Sequence, residues 1–516
     1  MHVVLLPKVV RLALNGDLLS AHSLLQTQLA AAPTGSWQAA RLINNLAAVD
    51  AAMGDDAKAV EMLRRLRSQG QGSPAAARNL EFLTSSMARV EPPSPTLDAS
   101  RQKVAILSLL FNWPSTGGGT VHTKELAENL QRVGYAVRHL YARYEPWDVG
   151  QVRELLEYPH HAIPFSPEEW NDHQIIQKFQ EELSHDPPDW VIVTDSWNAK
   201  PLLVEAAEGY RTLIRIAAQE CLCPLNNVRL LVDEQGSPQQ CPVHQLLRPV
   251  DCCACVARNG ATLSGSLHQA ERKLVSYGTQ QYDRRLRQAF GHAEGVLTVN
   301  PQIAEAFRPY ARQVHVIPSG FDERRFENLP PLPFLNGRQL RILFAGLMPE
   351  FMKGFHILQA AANHLWKHRQ DFEVWATGDA PKQCPPWLKA IGWQSQEQLP
   401  HIIRQCDLLV FPTIAQEALG RTAVEAMACS RPVIASDIGG LSWVVDHETT
   451  GLLCEPGNPT HLARQLTRLL DNAELRQEFG IAARNKFLKH FTWTAILQNH
   501  YLPLLGAPAK NGVHPL

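Results

Sequence analysis

Two successive sets of short apolar runs, each set alternating with helical stretches, constrain this chain more than anything else in its 516 residues. The first set begins at Val104–Leu110, long enough for a buried parallel strand. A glycine turn, Thr116–Gly119, then leads into a helix apolar at Leu126, Ala127 and Leu130. Gly134 stops that helix, and Tyr135–Val137 opens the next strand. Strand, glycine turn, helix, strand is a βαβ unit. Further runs lie at Trp190–Val193, Leu213–Ile216, Gly295–Val299 and Val314–Ile317. The second set runs from Leu340–Phe344 through Phe372–Ala376 and Leu408–Phe411 to Pro432–Ala435. The expectation is an α/β chain with two Rossmann-like domains facing a cleft, at 103–325 and 338–490. Ligands bind such sheets beyond the carboxyl ends of the strands, so chemistry is sought in the loops there.

What precedes is different. Residues 1–90 are rich in Ala and Leu at helical spacing, and two stretches align. Asn15-Gly16-Asp17 with Ala21 and Leu25 matches Met53-Gly54-Asp55 with Ala59 and Leu63, and Asn45-Leu46 recurs as Asn79-Leu80, 34 positions on. This pattern resembles tetratricopeptide repeats, with a generic helical hairpin as the alternative. The proline tract Glu91–Pro95 cannot extend a helix, so 91–102 reads as a linker.

Composition narrows the partners. With 49 Lys and Arg against 50 Asp and Glu, no basic excess draws the chain to nucleic acid. No run approaches the roughly 20 apolar residues of a spanning helix. The start, Met1–Lys8, lacks the order of a signal peptide. The expected location is cytoplasmic, with a peripheral place at the inner membrane left open. Cys221, Cys223, Cys241, Cys252, Cys253 and Cys255 crowd an insertion at 220–256. Their thiolates, or three of them with His244, suit a structural zinc site, with free thiols or labile disulfides as rival readings.

Glu417 and Glu425 are the residues best suited to chemistry. On one continuous helix, eight positions would part them by about 12 Å and about 80°, too far to share a small ligand. Gly420 removes the difficulty if Glu417 lies on the loop after a strand and a helix starts near Thr422. Exposed amides at that helix start suit a diphosphate, and a carboxylate suits a vicinal diol. Thr422-x-x-Glu425 is also a capping box, in which Glu425 would serve only its own helix. The segment alone does not choose between these roles. Lys353-Gly354, at the entrance of another helix, adds a phosphate-neutralising cation and room for close backbone approach.

The ordered series Lys353-Gly354, Glu417-x7-Glu425 and Gly439-Gly440 resembles the large family-4 group of retaining glycosyltransferases with the GT-B fold. The likeness extends over about 103–505, through Pro318–Asp322, Pro432–Gly440, Thr450–Leu453 and Phe491–Trp493. It implies a terminal helix, in 491–516, that crosses back to the first domain. It also implies that Glu425 binds the donor ribose, Glu417 the transferred sugar and Lys353 the diphosphate. Gly117, Gly118 and Gly119 would cover the donor from the opposite domain. Gly354, Leu419, Gly420, Arg421 and Thr422 complete the donor site, and loops near Thr377-Gly378 and Gly392-Trp393 would meet the base. The implied reaction moves a hexose from a nucleotide diphosphate sugar, UDP-linked in preference to GDP-linked, to an unidentified protein, glycan or small acceptor. No cofactor is implied for catalysis, and no Asp-x-Asp metal motif is present. Two departures stand out. Leu347 occupies the place after Gly346 where the group usually carries Arg, with Arg421 as a substitute charge. Ala217–Glu220 stands where a catalytic His is usual; His122, beside the glycine loop, is an alternative for that role, with a helix-surface residue as the preferred reading. The alternative to a transferase is a degenerate GT-B scaffold whose repeat module binds a protein partner.

Overall fold

A computed structural model describes residues 18–32, 36–52, 56–68, 76–77, 79–80, 102–115, 117–232, 238–327, 339–379, 381 and 384–506. The turns at 15–17 and 53–55, the linker tract 91–95 and Thr116 lie outside these residues. The chain divides into two compact units, Met1–Ala99 and Ser100–Leu516.

In the first unit the helices Leu18–Ala31, Trp37–Ala52 and Asp56–Ser68 pack through small residues. Ala21 and Leu25 meet Leu46 and Val49, while Ala47 meets Ala59, Val60 and Leu63. Asp50 is buried between His22 at 2.9 Å and Lys58 at 3.0 Å. The Asn79 side-chain amide donates to Asn44 Oδ1, 35 positions earlier, at 3.1 Å.

The second unit contains two parallel sheets. One has strands β1 (Lys103–Ser108), β2 (Ala136–Arg143), β3 (His160–Pro164), β4 (Trp190–Val193), β5 (Arg211–Ile216), β8 (Gly295–Thr298) and β9 (Val314–Val316). Their order is β3-β2-β1-β4-β5-β8-β9, so chain direction across the sheet reverses between β1 and β4. A hairpin, β6 (Leu230–Val232) with β7 (Pro238–Gln240), interrupts this set within the cysteine-rich segment. The other sheet holds β10 (Leu340–Phe344), β11 (Phe372–Ala376), β12 (Leu388–Ala390), β13 (Leu408–Phe411), β14 (Val433–Ser436) and β15 (Gly451–Cys454). Its order is β12-β11-β10-β13-β14-β15, again reversing at the first strand. Central strands are buried on both faces, as parallel sheets with helices on each side require.

The chain passes between the sheets twice, and the two passages lie side by side. Phe321 N–H donates to Phe491 O at 2.9 Å, and Trp493 N–H donates to Phe321 O at 3.0 Å. Gly320 leaves no room for a side chain here, since a Cβ would stand 2.4 Å from the Trp493 ring. Beyond this point Trp493, Ile496, Leu497, Tyr501 and Leu505 join the core of the first sheet. Trp190 Nε1 and the Gln102 amide both donate to Leu505 O, at 3.0 and 2.9 Å. Residues Leu497–Tyr501 form a π-helical turn.

Of the six clustered cysteines, Cys221, Cys223 and Cys241 flank the β6–β7 hairpin, and Cys252, Cys253 and Cys255 lie on the helix Pro249–Leu263. All are free, and among the described residues no group of three or more His, Cys, Asp or Glu side chains is arranged to hold a metal ion. Cys221 is buried with its thiol donating to Trp197 O at 3.1 Å, and Cys241 donates to Val243 O at 3.3 Å. Burial pushes Cys252 up to about 12, with Cys223, Cys241 and Cys255 adding to the shift.

Candidate functional site

The loop after β13 carries Glu417, and the helix Arg421–Ala428 begins four residues later, behind Gly420 with φ +77°. Glu417 is therefore on the loop and Glu425 on the helix, which lets the two carboxylates serve one site. Two glycines after β14 hold that loop. Gly440 N–H donates to Glu417 O at 2.7 Å, and a Cβ on Gly439 would stand 2.6 Å from the same oxygen. A Cβ on Gly440 would stand 2.0 Å from Ala418 O. The pair Gly439-Gly440 thus exists because backbone packs on backbone there.

Lys353 ends a short turn after β10, and its Nζ donates to Glu417 Oε1 at 2.8 Å. Burial acts to lower the Lys353 ammonium, but the charge and hydrogen bond of Glu417 outweigh it and hold it above the usual value. Gly354 follows with φ +75°, and a Cβ there would fall 1.8 Å from Pro412 O. Only glycine permits that approach. It brings the start of the helix Phe355–Trp366 against the Glu417 loop, where Ile414 N–H and Thr413 Oγ1 donate to Met352 O at 3.0 and 2.8 Å.

Glu425 is buried, and the capping box is not formed. The helix starts from Gly420 with no side-chain cap, and Thr422 Oγ1 has no partner. Instead Glu425 Oε1 lies 3.6 Å from Arg325 Nη2. Burial raises the Glu425 carboxyl, against the opposing charges of Arg325 and Arg421. Arg325, just beyond Pro318–Asp322, is a site residue that sequence reasoning missed; it follows a segment already singled out. The Leu419 side chain, expected at the donor, belongs to the core of the second sheet, so only its backbone can reach a ligand.

The first sheet meets this loop directly. Asn300, after β8, donates from Nδ2 to Ala418 O at 2.6 Å, and Gln219 reaches Gln416 at 3.4 Å. Gly117 precedes the helix Gly118–Arg132, and a Cβ on Gly118 would meet Arg421 Cδ at 3.1 Å. Arg421 lies over the Phe321 ring at 4.3 Å and 3.6 Å from Glu125 Oε2, with neither terminal nitrogen hydrogen-bonded. His122, expected on the helix surface, is buried and stacked on Trp493 with 5.2 Å between ring centres. Burial, then Arg215 and Arg421, holds it well below the usual histidine value, so it is neutral.

At the rim, the loops after β10, β11 and β12 converge. Thr377 Oγ1 donates to Gly346 O at 3.0 Å, and Gly392 N–H donates to Gly378 O at 3.2 Å. Leu347 and Trp393 are exposed there, at 48% and 64%.

Residues 334–486 match the family described as glycosyl transferases group 1. The chain is 39% identical to an uncharacterized glycosyltransferase of Methanocaldococcus jannaschii over 106 residues, 20% of this chain and 30% of that one. It is 25% identical to glycogen synthase of Mycobacterium tuberculosis over 252 residues, 46% of this chain and 58% of that protein. The chain therefore spans 30% to 58% of the length of these relatives. Among solved structures, sucrose-phosphate synthase from Thermosynechococcus elongatus aligns over 79% of this chain and 100% of its own, with TM-score 0.55 and 19% identity. Anabaena HepE in complex with UDP and glucose aligns over 78% and 100%, with TM-score 0.54 and 18% identity. Residues 334–486 thus match the group 1 glycosyl transferase family, within a two-sheet fold shared with these solved structures.

Proposed function

We propose that the protein transfers a hexose, with retention of anomeric configuration, from a nucleotide diphosphate sugar to an acceptor. The observation that carries this reading is the Lys353–Glu417 contact at 2.8 Å, with Glu425 buried on the adjoining helix. A cation for the diphosphate and a carboxylate for sugar hydroxyls then meet directly, and the carboxylate for the ribose sits on the helix that follows the same loop. The HepE neighbour, solved with UDP and glucose, supports UDP over GDP as the carrier.

In this reading Glu417 holds the sugar hydroxyls and Glu425 the ribose. As the bond between the anomeric carbon and the phosphate oxygen breaks, charge grows on the leaving diphosphate. Lys353 and Arg421 stabilise it, together with the amides that open the helices Phe355–Trp366 and Arg421–Ala428. The acceptor oxygen attacks the same face, and its proton passes to a leaving-group oxygen. Catalysis needs no metal and no protein nucleophile. The helical first unit is proposed to bring in an acceptor or a protein partner, as tetratricopeptide-like modules present helix faces. Among the described residues no helix is long and apolar enough to cross a membrane, and the cytoplasm is the proposed compartment.

A panel of UDP-, GDP- and ADP-sugars tests the reading. One donor is expected to raise the melting temperature by mass action and to be cleaved, giving product of unchanged anomeric configuration by NMR. A degenerate scaffold is the second reading, favoured by the exposed Leu347 in place of a phosphate-binding Arg. No binding and no turnover across the panel supports the scaffold.

A further inference from the structure

The cysteine-rich segment after β5 has little core of its own. Its hairpin, β6 with β7, is two strands of three residues each, and an isolated pair of that size is marginally stable at best. Small modules of this kind are commonly stapled by disulfides or a metal ion. All six cysteines here are free. Two of them are engaged elsewhere. The buried Cys221 thiol donates to Trp197 O at 3.1 Å. Cys253 turns to the loop beyond the helix Ser266–Leu274, where a Cβ on Gly278 would stand 2.9 Å from its sulfur. His244 packs edge-on to the Tyr310 ring, with 6.4 Å between centres.

The other four cysteines come from three stretches fastened to one another. Cys252 and Cys255 are three positions apart on the helix Pro249–Leu263, so they share a face. Arg229, before the hairpin with φ +51°, donates from Nη2 to Cys241 O and Val243 O at 2.7 and 3.1 Å and folds the Cys241 end back. Gln245 N–H donates to Leu222 O at 2.9 Å, beside Cys223. Ser264, where the cysteine-bearing helix ends, donates from Oγ to Leu225 O at 2.6 Å.

Donors are aimed at two of these sulfurs. Burial raises the Cys223 thiol, while the N–H groups of Asn226 and Leu225 donate to its sulfur and oppose that rise. Asn259 Nδ2 donates to Cys255 Sγ at 3.4 Å. Such bonds favour a thiolate. Beyond burial, Cys241 and Cys255 act on Cys223, and Cys223, Cys241 and Cys255 act on Cys252, so the four lie within reach of one another's charge. Two cations flank them: Arg229 acts on Cys252, and Arg272, which donates to Pro224 O at 2.9 Å, feels Cys223. Cys223, Cys241 and Cys255 are partly exposed, which gives an ion a way in.

We propose that Cys223, Cys241, Cys252 and Cys255 bind one structural zinc ion as thiolates. Four thiolates close a tetrahedral zinc site and leave no open position for chemistry. Their charge exceeds that of the ion, and Arg229 and Arg272 are placed to offset the excess. As the side chains stand, no three are arranged about one point, so the thiols turn inward and release their protons to solvent as the ion enters. The site braces the first sheet's loop against the second: Cys223 N–H donates to Gln219 O at 2.9 Å, and Gln219 reaches Gln416. Zinc takes no part in transfer, so the assignment stands or falls apart from the transferase reading.

The experiment uses the full-length protein, purified under reducing conditions without chelator, with zinc and iron measured by elemental analysis. Wild type is expected to hold about one zinc per chain. Cys223→Ser, Cys241→Ser, Cys252→Ser and Cys255→Ser should each fall below about a third of that, whereas Cys221→Ser and Cys253→Ser should keep it. Because a ligand variant can lose metal by misfolding, thiol alkylation of the wild type is the second readout. The four ligand cysteines should be modified at least about tenfold faster after chelation, while the exposed Cys384 reacts alike in both states. A wild type that holds no zinc and takes up none when it is added overturns the assignment. So does iron in place of zinc, equal loss of zinc from Cys221→Ser and Cys253→Ser, disulfides among the four, or alkylation that chelation leaves unchanged.

Discussion

The loops of the second sheet and the crevice of the first treat their charges in opposite ways. On the donor side each acidic group has a cation: Glu417 has Lys353 at 2.8 Å, and Glu425 has Arg325 at 3.6 Å. On the first sheet's side His122 has two unpartnered ring nitrogens, and Asp195, just after β4, has an unpartnered oxygen. A donor bringing both diphosphate and hydroxyls can exchange with pairs that already balance. The comparison teaches that the two carboxylates beside the second sheet are balanced by cations, while a carboxylate oxygen of the first sheet is left without a partner.

That unpartnered oxygen is the first way to break the comparison. The Asp195 carboxyl is raised from 3.8 to about 6, so it favours the neutral form in the folded state. Its contribution to stability is therefore full below about pH 4 and is lost as pH rises through 6. At about 1.4 kcal/mol per pK unit, wild type should lose up to about 3 kcal/mol over that range that Asp195→Asn retains. Urea denaturation of both proteins at pH 4.5 and 7.5 measures the difference; equal losses would put Asp195 among ordinary structural residues. Next in size, Lys353→Ala should lower kcat on the order of 10²-fold with the fold intact, by analogy with losing one preorganised oxyanion donor. Near-normal turnover would remove Lys353 from the diphosphate. Arg421→Ala should raise the donor KM about tenfold, since it deletes one charge-assisted contact of modest strength. An effect on kcat alone would move Arg421 from ground-state binding to the transition state. The smallest effect sharpens the donor side: Leu347→Arg should tighten nucleotide binding about threefold by isothermal calorimetry, the scale of one exposed charge pair.

Much of this was readable from the chain. The apolar runs at 190–193, 340–344, 372–376 and 408–411 coincide with strands because a strand covered on both faces is largely apolar. Strand β3, His160–Pro164, escaped because it is an edge strand with mostly exposed or half-exposed positions. Strand β12, Leu388–Ala390, escaped because three residues with a lysine in the middle do not make an apolar run. In the site, Gly420 correctly separated loop from helix, since a left-handed residue ends one and starts the other. The role of Thr422-x-x-Glu425 was not legible, because a capping box and a buried ion pair share the same letters. Arg325 and Asn300 were invisible for a plainer reason: each lies far along the chain from its partner. His122 was misplaced because a lone polar residue on a helix gives no hint that Trp493, hundreds of residues later, covers it.

Gly320 and its neighbours carry one more consequence. The two passages between the sheets are stitched together by Phe321, Phe491 and Trp493, and Trp493 Nε1 also donates to Glu125 at 3.2 Å. Two separate ropes would let the halves slide and twist freely. A stitched pair acts as a door hinge, whose natural motion is a swing about one line. With the Trp493 ring wedged against Gly320, a larger residue at 320 must displace that ring and with it the His122 ring stacked on its face.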